Sequence, residues 1–148
     1  MNYYNNKEFN EPYDGITYSV MVSMGFASVE NILYIFKSSN PIDTGLMRMF
    51  TAVPAHATFA VIMGYFMGLA RFSENRKFFY LAAGLLAAVF MHGTYDFFIY
   101  LEYYSETIYG AVAALVAGIF FSLRAIKIHR SFKKNESEEM RSVEDPLI

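Results

Sequence analysis

The chain has 148 residues, a net charge of −2, no cysteine, and a composition that is 55% hydrophobic and only 18% charged. That length fits one domain. The missing cysteines exclude disulfides, thiolate metal sites and a cysteine nucleophile, and the charge gives no basis for nucleic-acid binding or a polybasic anchor.

The first residues, MNYYNNKEFNEPYD, are polar, so no cleavable signal peptide is expected. Four apolar runs follow, at about 16–36, 46–70, 78–101 and 107–123. A soluble core helix would carry a polar stripe along its length, and these runs do not. A hydrocarbon layer of about 30 Å takes roughly 20 apolar helical residues. Aromatic and basic flanks extend the short fourth run. Backbone polar groups find no water inside lipid, so helix is the predicted state of each run. The expected fold class is therefore all-α, an integral membrane bundle of four transmembrane helices occupying residues 1–130.

The basic residues predict its direction. Lys7 precedes the first run, Arg71, Arg76 and Lys77 lie between the second and third, and Arg124, Lys127, Arg130, Lys133 and Lys134 follow the fourth. The gap EYYSE between the third and fourth runs has only acids as its charges, and the gap KSSNPIDTG between the first and second is balanced. The positive-inside rule then places both termini in the cytoplasm. The tail from 131 to 148, SFKKNESEEMRSVEDPLI, reads as a disordered cytoplasmic extension.

Ionisable groups within a span cost about 2.5–3.5 kcal/mol on insertion scales, and each is a functional candidate. Here they are Glu30 in the first run, His56 in the second, and His92 and Asp96 in the third, with the amide of Asn31 beside Glu30. Arg48, near the outer end of the second run, is expected to snorkel. Counting at about 1.5 Å per residue puts Glu30, His56 and His92 in one band some 10–15 Å below the outer surface. Asp96 is one turn further out. The same helix faces carry small residues: Ala52, His56, Ala60 and Gly64; Gly84, Ala88, His92 and Asp96; Ser19, Ser23, Phe26 and Glu30. Gly64 and Gly68 form a G-x-x-x-G pair of the kind that lets backbones approach. Gly110, Ala114 and Gly118 give the fourth run a similar ridge without ionisable groups. Pro54 removes the donor to the carbonyl of Phe50 and is expected to kink the second helix.

Two imidazoles and two carboxylates at one depth suit a divalent metal, zinc being the expected ion. Asp96 either joins the ligands or orients His92 through the i, i+4 spacing. The structural alternative is a hydrogen-bond network that only holds the bundle. Zincin (H-E-x-x-H) and serine-hydrolase (G-x-S-x-G) motifs are absent. Tyr95-Asp96 matches half of an intramembrane aspartyl protease signature, but the Gly-x-Gly-Asp half is missing.

Three stretches, EPYDGITYSVMVSMGFASVENILYI at 11–35, PAHATFAVIMGYFMGLA at 54–70 and MHGTYDFF at 91–98, resemble the PrsW family of bacterial intramembrane proteases. The G-F-A-x-x-E-N and H-G-x-x-D elements carry the likeness. The family is grouped with CPBP-type membrane proteases and resembles the prenyl-protein endopeptidases. The resemblance implies a multi-pass domain in the bacterial inner membrane that hydrolyses a peptide bond of a single-span membrane protein such as an anti-sigma factor. It implies catalytic roles for Glu30, Asn31, His56, His92 and Asp96, with Glu30, His56 and His92 holding the metal, Asp96 assisting, and Asn31 meeting substrate or the oxyanion. The family's Glu-Glu-x-x-Lys motif upstream of EPYDG has no match here; Lys7-Glu8 and Glu11 have the wrong spacing. The chain is therefore expected to be the C-terminal half of such a protein, incomplete or inactive as a protease. The rival expectations are a non-enzymatic membrane scaffold or partner-binding protein, and an ion pathway, against which the absence of a polar relay in the inner half of the bundle argues. A homo-oligomer through the glycine-rich helix faces is a separate expected partnership.

Overall fold

The structure, a computed structural model, describes residues 7–101 and 108–144. Five helices account for it: α1 (Pro12–Lys37), α2 (Pro41–Phe50), α3 (Ala52–Arg71), α4 (Lys77–Tyr100) and α5 (Ile108–Glu144). No strand occurs among the described residues. Four helical stretches, Pro12–Lys37, Pro41–Arg71, Lys77–Tyr100 and Tyr109–Ser131, are long and apolar enough to cross a membrane. The EYYSE gap and the last four residues of the tail lie outside the described residues.

Local chemistry sets most helix ends. α1 starts at Pro12, earlier than the apolar run, because proline suits the first helical turn and Asp14 accepts the backbone N–H groups of Glu11 (2.8 Å) and Asn10 (3.1 Å). Pro41 opens α2 in the same way, with Asp43 in its first turn. The balanced gap KSSNPIDTG is thus mostly helix, leaving Ser38–Asn40 as the connection. Ser38 Oγ accepts the Asn40 N–H (3.0 Å) and lies 2.6 Å from Thr44 Oγ1, which folds the chain back sharply.

The single second span expected from sequence is two helices. They divide at Thr51, whose backbone (φ −117°, ψ −63°) closes α2 and opens α3. Pro54 is the cause: its ring has no N–H and would collide with the carbonyl of Phe50, the last residue of α2. The Thr51 N–H and hydroxyl both bond the Met47 carbonyl (3.1 and 2.8 Å), which finishes α2 cleanly. The helical backbone of α5 runs to Glu144, beyond the point where the charge pattern starts a tail. Glu, Lys, Met and Arg favour helix without needing anything to pack against.

α3 is the central element, packed on α1, α4 and α5. It holds more of the buried positions than any other helix, among them Ala55, His56, Phe59, Ala60, Gly64 and Gly68. By contrast Phe36, Phe78 and Tyr100 on the surrounding helices are each more than 80% exposed. A water-soluble monomer does not tolerate that much exposed apolar surface; with lipid as the solvent it is the expected outside.

Lipid tails are as apolar as leucine, so burial alone does not hold such helices together; close contact and interhelical hydrogen bonds do. Between α1 and α3 the contact is backbone on backbone. A Cβ on Gly15 would lie 2.6 Å from the Gly64 carbonyl oxygen, and one on Gly64 would lie 2.5 Å from the Gly15 oxygen. Ser122 of α5 donates to the Thr58 carbonyl (2.8 Å) and Ser23 of α1 to the His56 carbonyl (3.0 Å). Interhelical bonds of this kind average about 0.6 kcal/mol. Gly84 fits against Phe66 and Met63, Gly110 against Phe98, and Gly118 against Thr58 and Met91. The glycines at these crossings meet neighbouring helices of the same chain. Gly25 and Gly93 face open space.

Candidate metal centre

Glu30, His56 and His92 come from α1, α3 and α4. Each offers a ligand atom, and the three atoms lie within 4.8 Å of one another. The band of equal depth inferred from sequence is thus one cluster. Glu30 Oε2 is 3.0 Å from His56 Nε2. The two imidazoles meet edge to face, with centroids 4.7 Å apart. Phe26 lies against His56 (5.6 Å) and Phe59 against His92 (6.0 Å), so apolar rings wall the cluster. The Ser23 hydroxyl on the His56 carbonyl ties α1 to α3 at this level.

Asp96 is not one of the three. Its Oδ2 lies 3.1 Å from His92 Nε2, one helical turn away, and its side chain is 59% exposed. That is the geometry of a carboxylate that orients an imidazole rather than of a ligand shared with Glu30.

Asn31 and Arg48 depart from expectation. Arg48 does not snorkel. Its Nη2 reaches Glu30 Oε2 (2.5 Å), its Nε donates to Asn31 Oδ1 (2.7 Å), and its guanidinium lies over the Tyr34 ring at 3.8 Å. Asn31 therefore faces Arg48 through its carbonyl oxygen. Sequence reading missed this role of Arg48 because it expected a kink at Pro54 but not a break, and counted depth along one straight helix. On such a helix Arg48 sits two turns, about 12 Å, above His56. The break at Thr51 lets both residues share one oxygen of Glu30. The available signal was the proline six residues on. His129, the remaining described histidine, is buried elsewhere, its ring 4.5 Å from that of Tyr65.

One carboxylate and two imidazoles form a donor set known from catalytic zinc sites, which keep a fourth position for water or substrate. Zinc bonds of about 2.0–2.1 Å put two ligand atoms at most about 4.2 Å apart, so small side-chain adjustments close the cluster around an ion. The residues present fit such an ion.

Membrane-length helices gathered around a partly buried carboxylate–imidazole cluster define a multi-pass membrane protein with a candidate metal site. The chain belongs to the PrsW family: residues 1–125 match the family described as PrsW family intramembrane metalloprotease. It is 47% identical to Protease PrsW of Geobacillus kaustophilus over 93 residues, covering 63% of this chain and 40% of that protein. With Protease PrsW of Clostridioides difficile the identity is 39% over 101 residues, 66% of this chain and 42% of the relative. With Protease PrsW of Bacillus subtilis it is 38% over 129 residues, 86% of this chain and 57% of the relative. The chain thus spans about half the length of these relatives. No solved structure matches it. The apolar helices and these relatives make it a bacterial multi-pass membrane protein.

Proposed function

We propose that this chain is the metal-binding part of an intramembrane peptidase that hydrolyses a peptide bond of a single-span membrane protein, with an anti-sigma factor as the substrate type. The observation that carries this is the convergence of Glu30, His56 and His92 from three helices within one ion's reach. These three hold the ion, zinc being the first candidate, and Asp96 fixes the ring of His92 through Nε2. A bound divalent ion supplies Lewis acidity for attack of water on a carbonyl. Phe26 and Phe59 set apolar rings beside the two imidazoles. The amide nitrogen of Asn31, directed away from Arg48 because Arg48 takes its oxygen, is the donor placed to meet substrate. In this reading the family's Glu-Glu-x-x-Lys element supplies the general base, so turnover requires that element beside these residues. Cleavage of a single-span reporter in cells tests it. Joining this chain to a relative's upstream half is expected to give cleavage that Glu30→Gln and His92→Gln remove. Cleavage that survives both substitutions overturns the assignment.

The rival, a scaffold without chemistry, draws on one observation: Arg48 and His56 already satisfy Glu30 without any ion. It predicts that the same substitutions lower stability and leave metal content unchanged.

For location we propose the bacterial inner membrane with both termini cytoplasmic, on the distribution of Arg and Lys, and a cytoplasmic segment from 131 onward. The cysteine-free sequence makes this simple to test with single cysteines at two exposed loop positions. Asn75→Cys is expected to resist an impermeant thiol reagent in intact cells, and Ser39→Cys to react. The reverse pattern inverts the topology.

A further inference from the structure

We infer that Arg48 is a positioning residue for the metal centre: from the broken second span it grips Glu30 and Asn31 together and so aims the carboxylate at the two imidazoles. This deepens the proposed function and rests on Glu30 being a metal ligand.

Three contacts carry it. The Nη2 contact to Glu30 and the Nε contact to Asn31 use two in-plane donors of one guanidinium, on two adjacent residues of α1. The same guanidinium lies over Tyr34, one turn further along α1. A fork that bonds two partners and stacks on a ring has one orientation, and it imposes that orientation on what it holds. A glutamate side chain has three rotatable bonds, and among the described residues only His56 holds this one besides Arg48. The Arg48 side chain is only 17% exposed, so these are sheltered contacts and not surface pairs. α2 has no buried residue of its own. Arg48 is one of the more sheltered side chains of α2, and its contacts there are to Glu30, Asn31 and Tyr34 of α1.

Two effects oppose each other. A guanidinium repels a metal cation, which weakens binding. It also fixes a ligating carboxylate, and outer partners of that kind are typically worth about 10–100-fold in metal affinity. The charge of Arg48 is offset by the carboxylate it touches, so orientation is the larger effect. The expected sign is that removing the fork weakens metal binding.

The experiment uses the full chain purified in detergent, with zinc affinity read by competition against a chelating dye and the geometry read from the visible spectrum of bound cobalt. Arg48→Lys keeps the charge and loses the fork; Arg48→Met loses both. Both variants are expected to bind zinc about 10–100-fold more weakly, with a changed cobalt spectrum and unchanged helix content. If Arg48→Met does not fold, Arg48→Lys decides alone. Wild-type affinity and spectrum in a folded variant, or tighter binding, overturns the inference. Absence of metal binding by the unsubstituted chain removes the proposed centre itself, a separate failure.

Discussion

His56→Ala and His92→Ala are each expected to abolish tight zinc binding by the purified chain, lowering affinity by more than about 100-fold, beyond the range of an outer partner. The two rings supply two of three ligands, and a carboxylate with one imidazole does not hold zinc competitively. Asp96→Asn is expected to fall lower on the same scale, by about 10–100-fold, because it perturbs the His92 ring without removing a donor. Stability follows affinity: zinc at 100 times its dissociation constant adds about 2.7 kcal/mol to the unsubstituted chain and nothing to His56→Ala. Titration with a chelator and thermal unfolding in micelles measure both quantities. Equal zinc content in wild type and His56→Ala would remove the site from the cluster and leave the scaffold reading.

Gly64→Leu is expected to separate α1 from α3. At this crossing a single Cβ would stand 2.5 Å from both the Gly15 oxygen and the Ile16 Cα. These are backbone atoms, so no rotamer change relieves the collision and the helices must move apart. Overpacking usually costs about 1–3 kcal/mol; a clash against backbone belongs at or above the upper end. Gly64→Ala should already show a loss. Gly93→Ala, which meets nothing within 4 Å, is the control and should be neutral or stabilising, since alanine is the better helix former. Unfolding in mixed micelles followed by circular dichroism compares them. Because α1 carries Glu30, Gly64→Leu should lose metal affinity together with stability. Intact unfolding behaviour in Gly64→Leu would mean that the helices cross elsewhere.

The spans and the membrane-embedded polar residues were legible in the sequence because both rest on costs that lipid enforces locally. A run such as 78–101 admits one structure in hydrocarbon, and α4 occupies 77–100. The cluster was legible because distance along a helix converts to depth. What the sequence hid were the consequences of tertiary contact. Arg48 looked like a residue reaching for the surface, since the option of pairing with Glu30 exists only after Thr51 redirects α2. Asp96 and Glu30 are alike in type and only one turn apart in depth; the structure separates the residue inside the cluster from the one beside His92. The glycines declared close packing but not with whom. They are used within this chain, where the pattern alone equally suited a second copy.

The central place of α3 bears on how the protein is made. The α3 face of Ala52, His56, Ala60 and Gly64 suits a neighbouring helix better than acyl chains. α1, which covers its glycine face, has already been synthesised when α3 emerges from the ribosome. α4 and then α5 close over the remaining sides in the order of translation. Membrane insertion of this chain is therefore also its assembly, each new helix arriving at a wall that the previous ones have prepared.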